Sequence, residues 1–323
     1  MPPVGYNCLT IIFLSLSELF PFQKGKLMTY HQFVESVTAQ INTILPEGIH
    51  AEIHSSLKNN SISRLGITII DSSVNVSPTI YMEEFYQEYQ QNLPLSEIVS
   101  TVLDIYYEIR FERSWEVNEL RDFASIEQRI VYKLIHKKEN ALLLMDVPFI
   151  PYHDLAIVFY ILFEIESSGS GTILITNGLL SAWNVTVDDL YRVSTNNTPR
   201  LLPANFNTMY SVLCEMLKTD CLDTDIAENH MYVLTNSMKQ YGASTILYCD
   251  LLEEIALELR DDFYLIPSSI HEFIILPRRY SPSTEDLDRM IAEINETQVS
   301  PDEILSDHSY YYSRLHKSLF LTH

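Results

Sequence analysis

Glycine is scarce in this chain, at 8 of 323 residues, and cysteine scarcer still, at four. So little glycine excludes collagen-like and low-complexity chains. It also removes the usual phosphate cradles: neither Gly-x-x-x-x-Gly-Lys-Ser/Thr nor Gly-x-Gly-x-x-Gly occurs. Cys8, Cys214, Cys221 and Cys249 are too few for a disulfide scaffold and form no Cys-x-x-Cys, so neither a zinc ribbon nor a thioredoxin-type pair is indicated. They read as free thiols of a reducing compartment, with Cys214 and Cys249 buried and Asp250 raising the pKa of the Cys249 thiol. Basic residues are also in short supply. Against 43 acidic side chains stand 21 basic ones, a formal charge of −22. That field repels nucleic-acid phosphates and anionic lipid. The best basic cluster, Lys133, His136, Lys137 and Lys138, is followed at once by Glu139 and reads as a solvated helix end. No nucleic-acid partner and no membrane partner is expected.

Long apolar runs are missing as well. Leu9 to Leu16 is far shorter than the roughly 20 residues that span a bilayer. No Lys or Arg precedes it, as a signal peptide would require. The expectation is that Met28 is the start and that residues 1–27 are an extension outside the fold. What remains is ordinary globular composition, 46% hydrophobic and 20% charged. At about 150 residues per domain the length fits one large or two modest domains.

Periodicity supplies the elements. Thr29 can cap a helix carrying Phe33, Val34, Val37 and Ile41, which Pro46 and Gly48 stop. Residues 49–56 alternate, Lys58 to Ser61 turn, and 63–70 return as a β-hairpin. Short helical turns at 81–91 precede a helix opened by Pro94, and further helices are expected at 116–123 and 125–137. Residues 154–165 read as a central strand paired with 172–176 across a Ser-Gly turn. Helices follow from 177, over 187–195 and over 208–218. The prolines of Asn197 to Pro203 argue against a helix there. Strand 231–235, a helix capped by Asp250, a hairpin at 262–276 and a helix capped by Ser283 complete the order, and the tail from 308 is expected to fray. Helices and hairpins alternate without β-α-β spacing. The fold class is therefore α+β: antiparallel hairpins and sheet covered by helices, in two lobes. The boundaries are 28–123 for a helical lobe with one hairpin and 124–307 for the main lobe.

Several segments together resemble an uncharacterised bacterial family, domain of unknown function 5688. They are Ser77-Pro78-Thr79-Ile80-Tyr81, Ile173 to Trp183, Asn197 to Pro203, Met231 to Asn236, Phe263 to Pro277, Asn295 to Val299 and Leu305-Ser306-Asp307. The resemblance runs from Met28 to Asp307. More remotely, 170–277 is similar in element order to domain of unknown function 1444. The resemblance implies a bacterial, cytoplasmic protein and supplies no catalytic residues.

Candidate chemistry is sparse. His50, Glu52 and His54 share one strand face and suit zinc by type, but side chains two residues apart stand about 7 Å apart, so a polar solvent face is the stronger reading. Ser268, Ser269 and His271 are hydrolase vocabulary without a Gly-x-Ser-x-Gly elbow. The adjacent acids Glu83-Glu84 and Glu253-Glu254 read as surface charge. Arg200, rigid between two prolines, can anchor a buried carboxylate or clamp an anion. The leading expectation is a non-enzymatic binding or adaptor module, using a groove near Asn177, Arg200, Asn236 and His271 for an unidentified protein or small-molecule ligand, with no cofactor. The alternative is a hydrolase using Ser268 or Ser269 with His271.

Overall fold

The computed structural model describes residues 27–74, 77–110, 120, 122–165, 169–218 and 230–322. The proposed extension up to residue 26, most of the helix expected at 116–123, the polar loop 219–229, Cys8 and Cys221 lie outside the described residues.

The chain opens with α1 (Tyr30–Ile44). Thr29 and Gln32 exchange side-chain and backbone hydrogen bonds as a capping box, and Phe33, Val34, Val37 and Ile41 are buried on one face. β1 (Ile49–Leu57) and β2 (Ser63–Asp71) pair antiparallel from Ile49 opposite Asp71 to Leu57 opposite Ser63, and β3 (Thr79–Tyr81) adds to β2. Gly66 is required there, because a Cβ would run into Thr79 and the Ile80 carbonyl of β3. Then α2 (Glu83–Gln90) and α3 (Leu95–Ile109) cover the sheet. Ile67, Ile69, Ile80, Met82, Ile98, Val102 and Tyr106 close a core whose buried residues run from Phe33 to Tyr106.

After a short α4 (Phe123–Ile126) comes a correction. The segment read as a helix over 125–137 is in its larger part β4 (Ile130–His136), paired with β6 from Ile130 opposite Ile161 to His136 opposite Leu155. Its apolar residues, interrupted by Lys133 alone between Ile130 and Ile135, are buried on both faces, and such a run fits helical spacing as readily as strand spacing. β-branched Ile130, Val131 and Ile135 tip the balance to strand. β5 (Phe149–Tyr152), β6 (Leu155–Ile165) and β7 (Gly169–Leu174) complete this sheet, with both β5 and β7 paired to β6.

α5 (Asn177–Trp183) and α6 (Val187–Leu201) follow. The latter runs through Pro199, against expectation. Proline there deletes only the N–H that would reach Thr195, and the helix closes just beyond it through Leu202 N–H donating to the Thr198 carbonyl at 2.8 Å. β8 (Ala204–Thr208), α7 (Met209–Leu217), β9 (Tyr232–Asn236), a 3₁₀ segment over Gly242–Leu247, α8 (Leu251–Leu259), β10 (Phe263–Ser269), β11 (Glu272–Pro277) and α9 (Thr284–Thr297) lead to the end. Ser283 caps α9 as expected, whereas Asp250 makes no side-chain cap at α8. The tail does not fray: β12 (Tyr310–Ser313) and β13 (Ser318–Leu321) finish a six-stranded sheet in the order β13-β12-β10-β11-β9-β8. Tyr310 and Tyr312 are buried, so the aromatic tail is sheet core.

All pairings are antiparallel and helices cover the sheets, so the class is α+β. One core joins the second and third sheets, from Ile130 and Phe159 through Leu190, Leu234 and Ile246 to Phe263 and Tyr310. Among the described residues no helix is long and apolar enough to cross a membrane.

Candidate functional site

Of the four groove residues, Arg200 lines a hollow that includes none of the other three. The Asn177 amide donates to the Met145 carbonyl at 3.2 Å. Arg200 donates to the Gln128 carbonyl at 2.9 Å and to Asn197 at 3.3 Å; it lines a shallow hollow of about 310 Å³ with Glu127, Arg192 and Asn196. No carboxylate bonds to it in these contacts, so its anchor is backbone and amide. Asn236 and His271, by contrast, are brought together. Thr235 Oγ1 donates to the His271 carbonyl at 2.8 Å, and Gly242 packs so closely on Thr235, Asn236 and His271 that no Cβ would fit.

The hydrogen bonds of the two serine hydroxyls go elsewhere than to the imidazole. Ser268 Oγ bonds to Glu272 at 3.2 Å, and Ser269 Oγ accepts the His271 backbone N–H at 3.0 Å. His50 Nε2 meets Glu52 Oε1 at 3.2 Å on an exposed strand face, and His54 is exposed. Among the described residues no group of three His, Cys, Asp or Glu is placed to hold a metal. Cys249 is exposed and Cys214 half-buried, so neither is the buried thiol expected. The Asp250 carboxylate, by hydrogen bond and charge, raises the Cys249 pKa, as the sequence suggests. Glu83 is not free surface charge: Oε1 accepts the Leu65 N–H at 3.2 Å, and Oε2 lies 3.9 Å from Arg64.

The densest chemistry lies where sequence reading put a solvated helix end. Strand alternation sets Lys133 on the face of β4 opposite Tyr132 and Leu134. A little of its surface still meets solvent, yet its ammonium is packed round by protein. Nζ stands 4.2 Å from the centre of the Tyr241 ring and 5.9 Å from that of Tyr160. Among the described residues it makes no ion pair.

Tyr241 is held in place at a cost. Its φ is 54°, the left-handed region that bulky residues rarely adopt. The loop before it is built by Asn236, whose Oδ1 accepts the N–H groups of Met238 (3.1 Å) and Gln240 (3.3 Å) and whose Nδ2 donates to the Gln240 carbonyl (2.8 Å). His271 completes the support: Nδ1 accepts the Tyr241 N–H at 3.1 Å, and the ring stacks on the phenol with centroids 5.7 Å apart. Nδ1 is thereby an acceptor, so the proton sits on Nε2, 3.5 Å from Glu303 Oε1. Two residues singled out from sequence thus act as scaffold for a third that was not.

Over this cluster lies the β1–β2 turn. Residues 59–61 pack against β4. Asn60 N–H donates to Asn140 Oδ1 at 2.8 Å, and Asn140 Nδ2 donates to the Asn59 and Asn60 side-chain oxygens, each at 2.9 Å. Asn60 Nδ2 reaches the carbonyls of Pro301 (2.9 Å) and Ile304 (2.7 Å), while Arg64 bonds to Ser300 and Asp302. The turn carries Lys58, whose Nζ sits 3.7 Å from the centre of the Tyr81 ring. Lys58 also lies within electrostatic reach of Lys133. Burial first, and then the like charge of Lys58, pull the Lys133 pKa down to about 8. Burial raises the phenol of Tyr160, with Tyr241 and Tyr248 adding to it; Tyr241 is raised by burial and then by Tyr81, Asp302 and Glu303.

A family model described as a family of unknown function, DUF5688, matches residues 30–314. The chain belongs to that family. Neither a curated protein nor a solved structure matches it. The span that marks it as a DUF5688 member takes in both large cores and every seam residue from Lys58 to Asp302 and Glu303.

Sequence reasoning missed Lys133, Lys58 and Tyr241. One signal was present. Lys133 interrupts Ile130-Val131-Tyr132 and Leu134-Ile135, and a lysine inside an apolar run either snorkels out or is buried for a reason. Nothing in the sequence brings residue 58 to residue 133.

Proposed function

We propose that this DUF5688 member is a non-enzymatic binding module of the bacterial cytoplasm, and that its ligand seats at the seam between the β1–β2 turn and the strand carrying Lys133. The observation that carries this reading is Lys133 itself: an enclosed ammonium with no counter-ion among the described residues, faced by a strained tyrosine. Lysines are rarely buried unless paired, and backbone strain collects at ligand clamps. The hydrolase alternative is weaker, because Ser268 and Ser269 bond to Glu272 and to backbone and not to the His271 ring.

The test is thermal-shift screening of the full chain against a panel of small metabolites, neutral and charged, with Lys133→Met and Tyr241→Phe beside the wild type. A compound that raises the wild-type Tm and leaves Lys133→Met unmoved supports the site. If every active compound acts equally on both proteins, the seam is not where ligand sits. A fluorophosphonate probe decides the alternative: labelling of Ser268 or Ser269 would restore the hydrolase reading.

A further inference from the structure

We propose that the seam ligand is a compact dianion, a phosphate or a dicarboxylate group, gripped between Lys58 on the β1–β2 turn and Lys133 on β4. The inference rests on the binding-module reading and names the ligand class for it.

The first support is electrostatic. Acidic residues outnumber basic ones, 43 to 21, so a lysine taken at random finds a carboxylate more easily than another lysine. Here Lys58 lies within electrostatic reach of Lys133 across the seam, and among the described residues neither makes an ion pair. The nearby acids are engaged elsewhere: Asp302 with Arg64 and Ser300, Glu303 with His271. The charge felt by Lys133 is that of Lys58, which opposes its own. Two like charges in a poorly solvated site are unfavourable, and an anion between them turns that repulsion into attraction on both sides.

The second support is geometric. Each ammonium rests on a tyrosine face, Lys58 on Tyr81 and Lys133 on Tyr241, so each cation is held in position by an aromatic group that cannot neutralise it. Ring stacking and the Tyr241 N–H bond fix His271, whose Nε2 faces Glu303 Oε1 at 3.5 Å, so the imidazole holds Tyr241 under Lys133 and the two lysines are left to meet the anion. Lysine binds phosphate and carboxylate as a point charge, so two lysines without a guanidinium fork suit a small doubly charged group over a planar, bidentate one. The two cations sit on opposite sides of the seam. A bound dianion would therefore hold the turn to the body alongside the Asn140 clasp.

Inorganic phosphate and malonate, each titrated into the full-length protein at constant ionic strength set by sodium chloride, test this by calorimetry and by Tm. The expected result is a saturable response to at least one of them. Binding should weaken at least tenfold in Lys58→Met and in Lys133→Met alike, and stay unchanged in Lys137→Met on the neighbouring turn. Response to phosphate alone marks a phosphoryl ligand, and response to malonate alone a dicarboxylate. Equal binding by wild type and both seam variants would mean an adventitious ion only and overturn the proposal. So would the absence of any saturable response. In either case a neutral metabolite that protects wild type but not Lys133→Met would keep the binding-module reading alive without the dianion. Should Lys133→Met fail to fold, Lys58→Met, at the part-exposed turn, carries the same decision.

Discussion

The core of residues 33–106 and the core that runs from Ile126 to Tyr312 are built alike, from aromatic and branched side chains almost wholly removed from water. The seam over Lys133 is built from asparagine amides, a salt bridge and lysine–tyrosine contacts. Apolar burial is large and non-directional, whereas a hydrogen bond is worth about 1 kcal/mol net. Each core can therefore hold its own elements, and the seam is where the molecule opens most cheaply. On this ground we propose that 28–123 and 124–307 are separate lobes. The largest effect that could break the comparison comes from the cores. Phe33→Ala and Phe263→Ala should each cost about 3–5 kcal/mol. Scanning calorimetry of Phe33→Ala should show an early transition for the N-terminal core while the main transition stays in place. A single transition moving as one would mean that the two cores melt as one body.

The seam is expected to give a smaller and more local effect. Asn140 is fully buried, and its side chain makes four hydrogen bonds, to Asn59, to Asn60 twice, and to the His136 carbonyl. Asn140→Ala strands several of those partners, at a cost of about 1–3 kcal/mol. Amide hydrogen exchange should accelerate at 58–64 while strands β6 and β10 keep their protection. Uniform loss of protection would contradict a cheap seam between sound cores.

The same contrast explains what could be read from the sequence. α1, the β1–β2 hairpin, α3 and α9 were legible because their caps, turns and apolar spacing are local. β4 was not. Its inward residues fit a helical stripe, and only its partner, β6, shows that both faces are covered. The tail was misread for a related reason: Tyr310 and Tyr312 gain their burial from β10, about 45 residues away in the chain. At the site, Asn236 and His271 were found through strand-end and hairpin patterns, but what they support, Tyr241, becomes visible only with the fold. Lys58 and Lys133 meet through tertiary packing across the seam, and no periodicity encodes that.

Lys133 offers the smallest and sharpest test of the difference between core and seam. In the folded chain its pKa lies near 8, and in the unfolded chain it returns to 10.5. Below pH 8 both states carry the charge, and the folded one bears the full penalty of holding it in a poorly solvated place beside Lys58. Between pH 8 and 10.5 the folded state has released the proton and the unfolded state has not, so stability rises with pH through that window and levels off above it. Lys133→Met keeps a flexible apolar side chain against the tyrosine rings and removes the charge. Its chemical-denaturation stability at pH 7 should exceed wild type by on the order of 1 kcal/mol, the desolvation penalty being partly offset by the lost cation–π contact. The gap between variant and wild type should close as pH climbs from 8 to 10, and taking that difference at each pH removes the buried tyrosines, which titrate in both proteins. A gap that stays constant across the window would mean that Lys133 carries an ordinary surface charge, and the seam would then hold no unsatisfied cation for a ligand to answer.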